Sequence, residues 1–201
     1  MKTKKASCSI ALPCHGKKLL ATLLLAATSL AHGADLSPDG VSFEVGSGNK
    51  TDMARLGVAW KWDKVWYQTR DWQLTNFWEL SVGRWKGKAY PTINGQPGHS
   101  TQELTDIGFT PVFRFAKTDA IGLYYEIAVG AHYLSEIYDT NTRKFSTKFQ
   151  FGDHIGIGYV WKLQDSSAID AAIHFQHLSN GSIKQPNPGV NFLQAKVQYW
   201  F

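Results

Sequence analysis

Eight segments of this chain alternate bulky apolar residues with small or polar ones at a period of two, and that repetition limits the fold more than any other feature. The segments run near 40–47, 53–63, 72–85, 102–116, 121–134, 148–163, 168–178 and 191–201. Side chains along a β-strand point alternately to its two faces, so each segment reads as a strand with two unlike faces. One face is apolar and aromatic: Leu56, Val58, Trp60 and Trp62 in the second segment, Ile155, Ile157, Tyr159 and Trp161 in the sixth, Leu193, Val197, Tyr199 and Phe201 in the eighth. The other carries Arg55, Gly57 and Lys61, then Glu126, Gly130 and His132, then Gln194, Lys196 and Gln198. That second face is too charged to form the core of a water-soluble barrel, whereas the bulky face suits contact with lipid. No apolar run after residue 33 reaches the roughly 18 residues of a transmembrane helix. A chain of this kind enters a membrane as a closed barrel, which leaves no unpaired sheet edge in hydrocarbon. The expected class is therefore all-β, an eight-stranded antiparallel transmembrane β-barrel of the outer membrane.

The competing reading of the same periodicity is a soluble periplasmic β-sandwich. An even strand count argues for the barrel, as does the ending Tyr199-Trp200-Phe201, which resembles the terminal signature of outer-membrane barrels. The leader agrees with export. Lys2, Lys4, Lys5, Lys17 and Lys18 form a basic region, Leu19 to Ala31 is too short an apolar run to anchor, and Ala31-His32-Gly33 provides small residues for cleavage near Ala34. Residues 1–33 are thus expected to be a cleaved signal peptide and 34–201 a single barrel domain, with an uncleaved anchor as the alternative. Both cysteines, Cys8 and Cys14, lie in the leader, so the remainder has no disulfide or thiol chemistry. Five of the 21 basic residues are leader lysines, which leaves 16 against 16 acidic residues and no nucleic-acid footprint.

Connection lengths suggest an orientation. The stretches after the second, fourth and sixth segments are mostly short, and those after the first, third, fifth and seventh mostly longer and rich in turn residues. Outer-membrane barrels have short periplasmic turns and longer outer loops. Both termini then face the periplasm, and the loop after the seventh strand opens at the outer leaflet.

That loop follows the polar end HFQHLSNGSIKQPNPGVNF, residues 174–192. Parity puts His177 and Ser179 on the lipid-facing side with Ile169, Ala171, Ile173 and Phe175, while Asp170, His174 and Gln176 point inward. Histidine can take a serine proton near neutral pH, and residues i and i+2 of one strand face lie within rotamer reach. Asn180, Gly181 and Asn187 offer donors for an oxyanion. Read from spacing alone, the pair fits a catalytic couple or a polar strand end at the membrane rim.

HLSNGSIKQPNPG resembles the C-terminal signature of the outer-membrane lipid A 3-O-deacylases, the PagL family, whose site reads H-x-S-N followed by K-Q-P-N-x-G. His177, Ser179, Asn180, Lys184, Gln185, Pro186, Asn187 and Gly189 match in place. The resemblance implies an eight-stranded barrel that hydrolyses the ester-linked hydroxyacyl chain at position 3 of lipid A with a Ser-His-Glu triad, without metal or cofactor. The implied partners are lipid A or lipopolysaccharide and the lipids of the outer membrane, with no nucleic acid; a homodimer is left open. Where the family has its glutamate, two residues after the motif glycine, this chain has Asn191, and no Asp or Glu occurs from 171 to 201. Three readings follow. Asn191 orients His177, a carboxylate such as Asp153, Glu136 or Asp139 substitutes, or the site is weak.

Other polar residues read as structure. Arg55, Lys61, Glu79, Arg114 and Glu126 are expected in an ionic network inside the barrel, with His132, His154 and His174 facing inward without metal-ligand spacing. Lys86, Lys88, Arg143, Lys144 and Lys184 fall in outer loops, where they either meet lipid A phosphates or are solvated. The rival functions are a non-enzymatic structural or adhesive barrel, and a phospholipase or acyltransferase using the same His-Ser pair.

Overall fold

A computed structural model describes residues 36–48, 51–88, 95, 102–140, 143–163 and 166–201; the expected leader and its cleavage site lie outside the described residues. The chain divides into two compact units, Met1–Ser37 and Pro38–Phe201. Only Leu36 and Ser37 of the first are described, and every strand among the described residues belongs to the second.

The strands are β1 (Gly40–Gly48), β2 (Thr51–Lys61), β3 (Tyr67–Gln68), β4 (Trp72–Gly87), β5 (Glu103–Lys117), β6 (Gly122–Leu134), β7 (Phe149–Lys162), β8 (Ala168–Ser179) and β9 (Val190–Trp200). Sequential neighbours other than β2 and β3 pair antiparallel, β1 pairs β9, and β2 pairs β4. Those two pairings close the eight long strands into a barrel. The two-residue β3 adds a short rung beside β4, with the Trp66 indole N–H donating to Asn76 Oδ1 at 2.7 Å. The eight expected strands are present within two residues at each end, and β3 is additional. One expected loop is corrected: only two residues separate β1 from β2, a tight connection rather than a long outer loop.

The faces fall as alternation requires. Val41, Phe43, Leu56, Ile107, Phe109, Ile127, Val129, Ile155, Ile173, Leu193 and Val197 are exposed on the outside. Such a continuous apolar belt is stable only against lipid. Inside, Glu44, Arg55, Glu79, Asp106, Arg114, Glu126, Asp170 and Lys196 are all buried. Arg55 bridges Glu44 and Asp106 (2.8 and 2.9 Å), and Arg114 bridges Glu126 and Asp170 (3.0 and 2.9 Å). Lys196 pairs with Glu79. His132 sits on Asp106, and His174 lies between Glu44 and Glu126 at 3.2 and 2.8 Å. Buried charges persist only when paired in this manner. Lys61, expected in this network, stands instead at the barrel mouth where β2 ends, with Nζ over the Trp200 ring.

The inward column of β7 includes Gly156 and Gly158 because large rings occupy the space there. A Cβ on Gly156 would meet His174 Cδ2 at 2.3 Å, and one on Gly158 would meet Tyr124 Cζ at 2.3 Å. Towards the outer loops the ionic layer gives way to an apolar plug of Met53, Trp85, Leu104, Leu134, Tyr138, Phe145, Leu178, Val190 and Phe192. Leu178 and Val190 are fully buried there. They follow His177 and precede Asn191, so the outer ends of β8 and β9 have a rigid backing.

Candidate active site

The site is built on the outer face where β8 lies between β7 and β9. His177 is the register partner of Asn191 on β9 and of Asp153 on β7. Alternation sends all three side chains outward, because Leu178 and Val190 are the residues that turn inward. Ser179, two residues on and paired in register with Phe151, shares the outward face. The rows beneath are apolar, with Phe175 between Ile155 and Leu193.

Asn191 Oδ1 lies 2.5 Å from His177 Nδ1. An amide oxygen only accepts, so Nδ1 carries the proton and the Nε2 lone pair is left available as a base. On the other edge the imidazole packs against Gly189. A Cβ at that position would stand 2.6 Å from His177 Cε1 and 3.1 Å from Nε2, and the backbone there has φ of +59°. Glycine is therefore demanded twice, by the left-handed backbone and by the ring beside it.

The connection from β8 to β9 is held from below and from the side. Ile183 N–H donates to Asn180 O at 3.2 Å across Gly181 and Ser182, whose φ values are +61° and +63°, as in a type I′ turn. Asn180 was expected among the oxyanion donors, and its geometry corrects that. It is buried, its backbone N–H donates to Asn187 Oδ1 at 3.0 Å, and its Nδ2 donates to Ser146 Oγ and Lys184 O at 2.9 and 2.8 Å. Both of its donor groups are engaged in shaping the loop. Asn187 is fixed in turn, its oxygen accepting from the Asn180 N–H and its own backbone N–H donating to Gln185 Oε1 at 3.2 Å.

Two residues of the β6–β7 connection complete the scaffold, and periodicity gave no sign of either role. Arg143 donates to the carbonyls of Pro188 and Gly189 at 2.9 and 2.5 Å. Ser146 Oγ donates to Lys184 O at 2.7 Å. A guanidinium has several donors in a fixed fork, which suits it to clamping two adjacent carbonyls. Among the other outer cations, Lys88 pairs with Asp52 and Lys144 with Asp139. Asp139 is thereby engaged by Lys144, Glu136 is exposed in the β6–β7 connection, and Asp153 is the carboxylate in register with the histidine.

Glu126, His154 and His174 are near enough together to raise the question of a metal. The His154 and His174 rings stack almost parallel, 4.6 Å apart at 9°, so their in-plane lone pairs run side by side rather than converging. Glu126 already meets Arg114 through Oε2 and His174 through Oε1. The cluster reads as part of the ionic network.

Comparison with known proteins places this geometry in a group. Residues 52–200 match the family described as Lipid A 3-O-deacylase (PagL). The chain is 33% identical over 178 residues to the lipid A deacylase PagL of Pseudomonas aeruginosa, covering 87% of this chain and 93% of that protein. It is 29% identical over 188 residues to the lipid A deacylase PagL of Bordetella bronchiseptica, covering 92% and 96%. The crystal structure of the outer membrane enzyme PagL superposes with a TM-score of 0.63 at 25% identity, covering 79% of this chain and 97% of that one.

Proposed function

The chain belongs to the lipid A 3-O-deacylase (PagL) family, and on that premise we propose that it is an outer-membrane serine esterase that removes the ester-linked hydroxyacyl chain from position 3 of lipid A. The observation that carries this reading is the polar row on the lipid-facing side. Ser179 and His177 stand at the outer-leaflet end of an otherwise apolar face, with His177 Nδ1 held at 2.5 Å by Asn191. Lipid A is a lipid of that leaflet, so the reacting ester reaches the pair by lateral diffusion.

In this mechanism His177 Nε2 accepts the proton of Ser179 Oγ, and Oγ attacks the ester carbonyl. The Gly181 N–H and Asn187 Nδ2 stabilise the oxyanion of the tetrahedral intermediate. Collapse breaks the acyl C–O bond, and His177 returns the proton to the sugar oxygen that leaves. Water, deprotonated by the same imidazole, then releases the hydroxy fatty acid from Ser179. Asn191 keeps Nδ1 protonated and the ring oriented, as an orienting amide can, with less charge stabilisation than a carboxylate would give. The depression below the row, lined by Ile155, Ile157, Ile173, Phe175 and Leu193, gives the acyl chain an apolar bed at the protein–lipid boundary. Nothing in the row requires a second copy of the chain; crosslinking in membranes would reveal a homodimer.

The test is mass spectrometry of lipid A incubated with the purified, detergent-solubilised protein, beside a glycerophospholipid control. The reading expects loss of one ester-linked hydroxyacyl chain from lipid A, no loss with Ser179→Ala, and an untouched glycerophospholipid. Cleavage of the glycerophospholipid in preference to lipid A would favour a phospholipase. Unchanged lipid A would leave a non-enzymatic barrel.

A further inference from the structure

The outward column of β7 runs Phe149, Phe151, Asp153, Ile155, Ile157, Tyr159 and Trp161. Asp153 is its one polar residue, and it stands in register with His177. A carboxylate on the lipid-facing side of a barrel is unfavourable; the buried charges of this barrel pair inside the lumen, and the exposed pairs Arg84–Glu103, Lys88–Asp52 and Lys144–Asp139 involve other residues than Asp153. Its height in the barrel also matters. Directly opposed residues of antiparallel strands bring their Cβ atoms within about 4.5–5.5 Å. Asp153, His177 and Asn191 therefore form one transverse row across three strands, with apolar residues in the row beneath.

The charges around the imidazole make the placement meaningful. When His177 takes the serine proton it becomes a cation. Asn191 on β9 is neutral and already occupies Nδ1. Arg143, from the β6–β7 connection, places a second cation on the carbonyl of Gly189, the residue against which the ring packs. Lys184 in the β8–β9 connection is exposed and also positive. Asp139 is paired with Lys144. Two cations and an amide give the developing imidazolium no counter-charge, and the carboxylate facing it is Asp153.

We propose that Asp153 is a positioning residue of the reaction, supplying from β7 the negative charge that a glutamate at the place of Asn191 would supply from β9. The two jobs of one triad carboxylate are divided: Asn191 fixes the tautomer and the ring, and Asp153 stabilises the charge through space. This inference rests on the Ser179–His177 reading.

The experiment measures kcat and KM on detergent-solubilised lipid A, with the unfolding temperature, for the wild type, Asp153→Asn, Asp153→Glu, Asn191→Glu and the double variant Asp153→Asn/Asn191→Glu. Loss of a through-space charge is expected to lower kcat about tenfold in Asp153→Asn, with KM within twofold and unfolding unchanged. Asp153→Glu retains most of the wild-type kcat, and Asn191→Glu restores most of the loss in the double variant. A role in folding alone would not give rescue from the far side of the histidine. Wild-type kcat in Asp153→Asn overturns the proposal, as does a loss that neither glutamate recovers. If Ser179→Ala still hydrolyses lipid A, the esterase mechanism itself falls; if that variant is inactive while Asp153→Asn is unimpaired, the Asp153 proposal alone falls.

Discussion

The lumen and the outer face of β7–β9 both carry histidines beside acids or amides, and they use them in opposite ways. In the lumen, His174 touches Glu44 and Glu126, which in turn meet Arg55 and Arg114. Every charge there answers another, and the layer is closed above by the apolar plug. On the outer face His177 gives its Nδ1 proton to Asn191 and keeps the Nε2 lone pair, above a row of apolar residues. Mutual satisfaction marks polar residues that hold a fold together, whereas a polar row with a lone pair left over, in a belt that should be apolar, marks residues that are free to react.

The comparison breaks most sharply at the pair itself. Ser179→Ala and His177→Ala are each expected to lower kcat/KM by about 10⁴-fold or more, and the double variant to be no worse than either, because the two act as a unit. Thermal unfolding in detergent should be unmoved. In the lumen the pattern reverses. Arg114→Ala removes the cation between the buried Glu126 and Asp170, which keep His174 and the Tyr124 and Trp200 donors, and should reduce stability by about 3–5 kcal/mol, while the folded fraction keeps its turnover. A lumen variant that kills turnover in fully folded protein would erase the distinction.

Smaller effects sharpen the account of how the outer row is held. Gly189→Ala puts a methyl within contact of the His177 ring and strains a left-handed residue. Displacing a catalytic base by a fraction of an ångström to one ångström can reduce kcat by about 10²-fold, and steady-state kinetics beside an unchanged circular dichroism spectrum would show it. Arg143→Ala releases the carbonyls of Pro188 and Gly189. Loss of such a charge-assisted clamp is worth about 1.5–3 kcal/mol of local order, expected as faster proteolysis of the 180–189 connection and a reduced kcat. Asn191→Ala should reduce kcat about tenfold, in keeping with one lost hydrogen bond to a charge-bearing group, and Asn191→Glu should match or exceed the wild type. If neither Asn191 variant changes kcat, the orienting role lies elsewhere.

Much of the barrel could be read from the chain because a two-residue period assigns both the strand and its faces. The same period placed His177 and Ser179 outward and His174 inward, and the structure has them so. β3 escaped because two residues make no period, and the tight β1–β2 connection because Gly, Asn and Asp are as common in two-residue turns as in longer loops. Register is the deeper limit. Alternation within one strand does not say which residue of its neighbour stands opposite, so Asp153 could be assigned a face but not a row. Loop hydrogen bonding was likewise invisible: that Asn180 serves the loop, and that Arg143 and Ser146 reach across to it, depends on contacts between segments with no pattern of their own.

The central claim, that Ser179 on the lipid-facing side is the nucleophile and His177 its base, is tested most directly by covalent capture. The folded barrel in detergent would be treated with a serine-directed phosphonate bearing an acyl tail, and the adduct located by intact-mass measurement and peptide mapping. The account predicts one adduct, on Ser179, formed in wild type and in Arg143→Ala but not in His177→Ala. An adduct on another residue, or undiminished labelling of Ser179 without His177, would contradict it.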